Sequence, residues 1–223
     1  MAAVEAADVP AEGPLIAARR AVGRPSRAVL SRAFYRRPSL EVAPDLLGRT
    51  LVRFLPDGTR CSARIVEVEA YRQDDPASHS FRGRTARTEV MFGPPGHLYV
   101  YFTYGMHFCM NVVTGDEGEG SAVLLRAAEP LEGTDRMAAR RGVGDPRLLC
   151  AGPGRLCQAL AVGRPQNGTD IVRGAELRVE SGSPVPPDLV VAGPRVGIRV
   201  ATDRPWRFVV AGSRFVSRGP RTA

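Results

Sequence analysis

The chain has 223 residues, of which 43% are hydrophobic, and this length suits one domain with a sizeable core or one domain plus a tail. No apolar run approaches the length that a membrane-spanning helix needs, so we do not expect a transmembrane protein. The net charge of +8 and the isoelectric point of about 10.1 are typical of a protein that binds nucleic acid, although an acidic membrane surface attracts the same charge.

All 31 basic residues are arginine, and the chain contains no lysine. Every basic side chain is therefore a planar guanidinium that suits phosphate, and no lysine amine can act as a nucleophile. The four cysteines (Cys61, Cys109, Cys150 and Cys157) show neither zinc spacing nor a disulfide framework. We predict reduced, packed cysteines, as in a cytoplasmic protein.

Residues 1–34 are rich in alanine, arginine and proline and keep no apolar period, which predicts a flexible tail with a short helix near residues 15–21. The arginines of this tail could contact a phosphate backbone or could form a solvated leader. We expect a single domain over residues 35–217 and a short C-terminal tail over residues 218–223.

The first regular elements are a helix over Ser39–Leu47, a strand over Thr50–Leu55, a strand over Arg60–Tyr71 and an arginine-rich loop at residues 72–90. The later predicted elements are three strands, two helices and three more strands, namely His97–Thr103, Phe108–Val113, Ser121–Ala127, Thr134–Arg141, Gly154–Val162, Glu176–Glu180, Leu189–Val200 and Trp206–Val216. This order predicts an α+β protein with one largely antiparallel, curved sheet and surrounding helices.

Glu67, Glu69 and Tyr71 alternate along the predicted strand Arg60–Tyr71 and should therefore lie on one face of it. An apolar opposite face makes this arrangement compatible with the wall of a site. The alternative is an exposed hairpin face with solvated glutamates.

Aromatic residues are concentrated just downstream. Tyr99 and Tyr101 share one strand face, and Tyr104 stands directly before Gly105, where a turn would point it outward. Aromatic strands usually belong to a core, but clustered tyrosines in a basic protein also suit stacking on bases.

The candidate residues interleave with one another. His79 and the arginines of the 72–90 loop lie between the glutamates and the tyrosines, and Asn111 and Arg126 follow on neighbouring strands. The loop arginines are Arg82, Arg84 and Arg87. This set could hold a flat aromatic group beside an acid or base and next to a polyanion.

Several blocks of this sequence, in order, resemble the alkyladenine (3-methyladenine) DNA glycosylase family. The blocks are RIVEVEAY at 64–71, SHS at 78–80, MFGPPGHLYVY at 91–101, YGMHFCMNVV at 104–113, LLRAAEPL at 124–131, GPGRLCQAL at 152–160, PRVGI at 194–198 and PWRF at 205–208. The resemblance covers about residues 35–217. It implies the glycosylase fold and a function in base excision repair: flipping of an alkylated or deaminated purine and hydrolysis of its N-glycosidic bond, leaving an abasic site.

The resemblance implies that Glu69 is the general base for the attacking water and that Arg126 helps to position this water. Tyr104 matches the residue that is inserted into the duplex where the flipped base was. Thr88 departs from the family, in which asparagine is expected, so the loop conformation or a phosphate contact could differ here.

The resemblance also implies the base pocket. Tyr71, His79 and Tyr101 match side chains that sandwich and contact the flipped base. Asn111 matches a gatekeeper on the pocket floor, and the backbone N–H of Val196 matches a donor to the edge of the base. The substrates implied are 3-methyladenine, 7-methylguanine, hypoxanthine and etheno-adenine.

The resemblance implies no metal and no other cofactor. We expect the partner to be double-stranded DNA with a damaged purine, no membrane contact, a monomer, and a cytoplasmic bacterial location on the nucleoid. A non-catalytic nucleic-acid-binding module is the main alternative, but such a module does not need Glu69 together with Arg126. A glycosylase with lyase activity needs an amine, and without lysine only the N-terminal amine remains.

Overall fold

The computed structural model describes residues 26–217, and within this range nine antiparallel strands form one sheet. The strands are β1 (Ser26–Val29), β2 (Thr50–Phe54), β3 (Arg60–Tyr71), β4 (Leu98–Thr103), β5 (His107–Val113), β6 (Ala122–Glu132), β7 (Leu177–Gly182), β8 (Val190–Gly193) and β9 (Arg207–Val210). Their spatial order is β1-β7-β2-β3-β6-β5-β4, and β9 pairs with both β3 and β8. The predicted α+β class with an antiparallel sheet is confirmed.

Short helices connect and cover the strands. They are α1 (Arg32–Tyr35), α2 (Ser39–Leu46), α3 (Thr134–Arg141), α4 (Pro146–Leu149) and α5 (Pro153–Ala159), with 3₁₀ helices at Glu89–Phe92, Arg164–Gln166 and Pro187–Leu189. Within residues 26–217 no helix combines the length and the apolar character that crossing a membrane requires.

The helix α2 ends where the sequence predicted. Val42, Ala43 and Leu46 are buried on its inner face, and Gly48 follows with a φ of +80°. A Cβ atom at Gly48 would lie 2.0 Å from the carbonyl oxygen of Ser183. Glycine is therefore required here both for the left-handed conformation and for the close approach of the chain.

Strand alternation divides the side chains of β3, β4, β5 and β6 between two faces. One face is the main core, in which the buried residues from these strands include Val68, Ala70, Leu98, Val100, Met110, Val112, Val123 and Leu125. The opposite face carries Glu67, Glu69, Tyr71, Tyr99, Tyr101, Cys109, Asn111, Leu124 and Arg126. A single periodicity of two therefore gathers the chemical side chains of four strands on one surface.

The long strand β3 changes its neighbour halfway along. Residues 60–64 pair with β2, residues 67–69 pair with β9, and β6 runs along the other edge. The half of β3 that carries Glu67 and Glu69 is thus paired on both edges, and the groups above this face of the sheet leave both carboxylates fully buried.

Some sequence predictions differ from the structure. Residues 26–29, assigned to the predicted tail, pair with β7, so the ordered sheet begins before residue 35. The predicted strand Leu189–Val200 ends at Gly193, because Pro194 lacks an N–H and Gly197 adopts a φ of +82°. The strand predicted over Trp206–Val216 is limited to β9. The helix predicted near residues 15–21 and the tail at 218–223 lie outside the described residues.

The cysteine prediction agrees with the structure. All four cysteines are buried and unbridged. Within residues 26–217 no three His, Cys, Asp or Glu side chains are grouped so that they could hold a metal ion.

Candidate active site

A cavity of about 470 Å³ opens over the polar end of β3, β4, β5 and β6. This volume is within the usual range of small-ligand pockets. Its walls come from distant parts of the chain: Tyr71 from β3, His79 from the 72–90 loop, Tyr101 from β4, Asn111 from β5, Arg126 from β6 and Val196 from the loop after β8. The structure therefore brings the predicted pocket residues together.

Glu69 lies directly behind this wall and is fully buried. Its Oε2 accepts a hydrogen bond of 2.8 Å from the hydroxyl of Tyr71. Its Oε1 accepts one of 2.7 Å from the N–H of Val196 and lies 3.3 Å from Nη1 of Arg126. A carboxylate has about four lone-pair directions, so these two hydrogen bonds and the ion pair with Arg126 leave room for a further donor such as water.

Glu69 does not itself line the cavity, but its three partners do. The N–H of Val196 was predicted to donate to the edge of a base. In the structure Glu69 accepts this N–H, because the loop after β8 passes alongside the end of β3. Val196 therefore supports the carboxylate.

Arg126 joins two buried carboxylates. Its Nε donates to Oε1 of Glu67 at 2.9 Å, and its Nη1 faces Glu69. Burial alone would lower the pKa of Arg126, but Glu69 and Glu67 outweigh this effect and raise it. The guanidinium is thus a fixed positive charge beside Glu69, in agreement with its predicted place in the site.

The aromatic wall is a compact group of three rings. Tyr99 and Tyr101 are stacked at 5.5 Å between centroids, and His79 meets Tyr101 edge to face at 4.6 Å. Nδ1 of His79 lies 3.0 Å from the hydroxyl of Tyr99. Because His79 and Tyr101 touch each other, a base cannot enter between these two rings and would instead stack against the pair.

The side chains of this wall are neutral near physiological pH. Part of the His79 ring is exposed, yet its burial against the tyrosines, together with the charge of Arg87, lowers the pKa of His79 to about 4. Burial also raises the pKa values of Tyr71 and Tyr101, and nearby Glu69 adds to the effect at both. The aromatic rings themselves therefore add no positive charge that would repel a cationic ligand, and their faces attract it.

Tyr104 is at the tip of the β4–β5 hairpin. Tyr104 and Gly105 both have positive φ angles, of 51° and 67°, and the N–H of Met106 donates to Thr103, as in a tight hairpin turn. Left-handed backbone is costly for tyrosine, yet 79% of the residue is exposed. Packing in the folded protein therefore does not explain this aromatic residue, which suggests a role in binding.

Asn111 lines the cavity and is buried, and its Nδ2 donates to the carbonyl of Tyr99 at 3.1 Å. The side chain thus joins two strands and at the same time forms part of the cavity floor. The hydrogen bond fixes the orientation in which the amide would meet a ligand.

Thr88 closes its own loop. Its Oγ1 accepts the N–H of Thr85 at 2.9 Å and donates to the carbonyl of Gly83 at 3.2 Å. The loop conformation therefore does not need asparagine at this position. The neighbouring Arg82, Arg84 and Arg87 are exposed, and the guanidinium of Arg87 lies 5.8 Å from the ring of Tyr101.

The sequence did not predict the buried ion pair between Arg195 and Asp75, which holds a loop that lines the cavity. Arg195 is buried and binds both carboxylate oxygens of Asp75, which is also buried. Its guanidinium stacks 4.7 Å from the ring of Tyr71 and donates to the carbonyls of Ala70 and Ala201. It therefore ties the loop with Val196 to β3 and to the 72–90 loop. The two residues are 120 positions apart, so no local pattern could reveal the pair.

Comparisons with known proteins agree with this fold and show the family of the chain. The family model described as methylpurine-DNA glycosylase matches residues 33–214. A relative from Burkholderia lata is 54% identical over 199 residues, which is 87% of this chain and 93% of the relative. One from Streptomyces avermitilis is 52% identical and covers 88% of this chain and 94% of the relative. A third, from Methanoculleus marisnigri, is 53% identical and covers 85% and 98%. All three are named "Putative 3-methyladenine DNA glycosylase".

The antiparallel sheet holds a buried carboxylate beside an aromatic cavity, and together with the family match this places the chain among α+β glycosylases. This chain belongs to the methylpurine-DNA glycosylase family. It is a DNA glycosylase of DNA repair, a hydrolase of N-glycosyl bonds.

Proposed function

We propose that this DNA glycosylase excises alkylated and deaminated purines by flipping the damaged nucleotide into the cavity and hydrolysing its glycosidic bond with water. The proposed substrates are 3-methyladenine, 7-methylguanine, hypoxanthine and etheno-adenine. The observation that carries the proposal is the buried Glu69, held by two hydrogen bonds and an ion pair directly behind an aromatic cavity. The protein would act on duplex DNA as a monomer in the bacterial cytoplasm.

The flipped base would stack between Tyr71 and the His79–Tyr101 pair. Alkylated purines are often cations, which aromatic faces attract by cation–π interaction in addition to stacking. Extruding a base from the duplex costs a few kcal/mol, and the exposed arginines and the cavity walls together offset this cost. Asn111 would disfavour undamaged guanine by contact with its 2-amino group. 7-Methylguanine carries the same group, but its cationic ring is already a good leaving group.

In the chemical step Glu69 takes a proton from water while the water oxygen attacks C1′ and the glycosidic bond breaks. The electron pair of that bond leaves with the purine, which becomes neutral if it was cationic; a neutral purine leaves as an anion that takes a proton from water. The negative charge of Glu69 also stabilises the developing oxocarbenium sugar, and Arg126 orients the water. No amine takes part, so the strand stays intact at an abasic site.

An excision assay on a panel of duplexes, each with one lesion, tests this function. We expect release of at least one damaged purine and an abasic strand that breaks only after alkali, because the chain has no lysine to form a Schiff base. Borohydride trapping should give no covalent complex. Binding of lesion DNA without release of any base would instead support the non-catalytic module.

Tyr104→Ala should weaken binding of lesion duplex by about tenfold or more, since stacking on one base is worth about 1–3 kcal/mol. The melting temperature should hardly change, because Tyr104 is largely exposed and alanine keeps the same backbone cost. Fluorescence anisotropy with a lesion duplex measures the effect.

Leu131→Ala is a matched control for Tyr104→Ala, since Leu131 is likewise an exposed apolar residue but does not line the cavity. It should leave DNA affinity unchanged. Unchanged affinity in Tyr104→Ala, accompanied by a large loss of melting temperature, would show that Tyr104 is a packing residue.

A further inference from the structure

Glu67 is a fully buried carboxylate that the chemical step does not use and that does not line the cavity. It accepts four hydrogen bonds: from Nε of Arg126 at 2.9 Å, from Nε of Arg207 at 2.8 Å, and from the N–H and Oγ of Ser217 at 2.6 and 2.8 Å. A buried charge is costly to maintain even when it is well paired. This cost suggests a function other than stability.

Arg126 connects Glu67 to Glu69. Because the guanidinium is planar, fixing its Nε on Glu67 also fixes the direction of the Nη atoms, one of which faces Glu69 at 3.3 Å. The charge of Arg126 is thus divided between two carboxylates. Without Glu67, Arg126 would be free to turn and to form a closer pair with Glu69.

We propose that Glu67 is a positioning residue for Glu69: it orients Arg126 and limits how much of its positive charge acts on the proposed base. This inference rests on the proposed function of Glu69. Glu67 would be a second carboxylate that affects the reaction only through Arg126. Through Arg207 and Ser217 it also connects the site to β9 and to the segment that ends at Ser217.

Few groups around the two carboxylates carry charge. Burial raises the pKa values of the ionisable neighbours Tyr71, Tyr101 and Cys109, which are therefore neutral. Beyond Tyr71, Arg195 and Asp75 balance each other, with Arg204 also 3.6 Å from Asp75. Arg199 also lines the cavity, where it is exposed. The charged groups of the buried network itself are two negative, Glu67 and Glu69, and two positive, Arg126 and Arg207.

This balance predicts opposite effects for two substitutions. Glu67→Gln removes a negative charge and so favours ionised Glu69, whereas Arg207→Gln removes a positive charge and favours protonated Glu69. The acid limb of the pH–rate profile should therefore move to lower pH in Glu67→Gln and to higher pH in Arg207→Gln. A purely structural role would not produce shifts of opposite sign.

The experiment is single-turnover excision from pH 5 to 9 by the full chain, on the lesion that wild type releases fastest in the duplex panel. For Glu67→Gln we expect the plateau rate to fall by roughly ten- to a hundredfold, because Arg126 would no longer be held in the orientation that positions the reacting groups. The affinity for lesion DNA should be unchanged. The acid limb should move by about one pH unit. Arg207 is partly exposed, so Arg207→Gln should fold even if Glu67→Gln does not.

Glu180→Gln is the matched control. Glu180 lies on β7, away from the cavity, and is a buried carboxylate that pairs with Arg60 and Arg178. It should leave the plateau rate and the acid limb unchanged. The inference would be overturned by any of three results: an unmoved acid limb in Arg207→Gln, a wild-type rate in Glu67→Gln, or shifts of equal sign in the two variants. In each of these cases excision by the wild-type protein would still support the proposed function. If wild type releases no damaged base from any duplex, the proposed function itself fails, and the inference with it.

Discussion

Glu69→Gln should reduce single-turnover excision by at least about a hundredfold while lesion DNA still binds. Glutamine preserves the shape of the side chain but has neither the negative charge nor the basicity to take a proton from water. Arg126 would remain held by Glu67, so the cavity wall should keep its form. Rapid-quench measurement of base release, with anisotropy for binding, separates the two effects.

The same assay on Glu180→Gln controls for the loss of a buried carboxylate as such, and this variant should excise at the wild-type rate. A near wild-type rate in Glu69→Gln would exclude Glu69 as the base. The carboxylate would then be only a support for Tyr71 and the N–H of Val196.

Asp75→Asn should lower the free energy of unfolding by about 3 kcal/mol, because it leaves the buried guanidinium of Arg195 without its counter-charge. For a domain of this size such a loss corresponds to a fall in melting temperature of roughly 6–12 °C. Excision should also slow, since Arg195 positions the loop whose Val196 supports Glu69. Urea denaturation and thermal melting measure the stability effect.

Asp45→Asn is the matched control for this prediction, since Asp45 pairs with Arg37 at the surface. Exposed ion pairs contribute about 0–1 kcal/mol, so this variant should melt close to wild type. Equal, small losses in both variants would mean that water or a neighbouring group compensates Arg195, and that the pair does not hold the loop.

The sequence by itself determined much of the site. The alternation of β3 placed Glu67, Glu69 and Tyr71 on one face, and the structure confirms this, since Arg126 contacts both carboxylates and Tyr71 donates to Glu69. Period two is a local property of extended backbone, and from Glu67 to Tyr71 it holds in β3 whatever packs against the strand. The resemblance identified the family and the pocket residues, whose catalytic roles stay predictions.

Only the tertiary structure decided which groups those residues meet. The N–H of Val196 donates a hydrogen bond to Glu69, and Arg195 forms an ion pair with Asp75, because the loop after β8 folds back over the end of β3. The pairing of residues 26–29 with β7 is equally non-local. Long-range contacts of this kind depend on how separate elements pack, whereas periodicity depends on the local backbone alone. Local patterns therefore predicted which face of the sheet carries the site. Only the packed structure showed how Glu67, Arg126 and the neighbouring loop hold Glu69 in place.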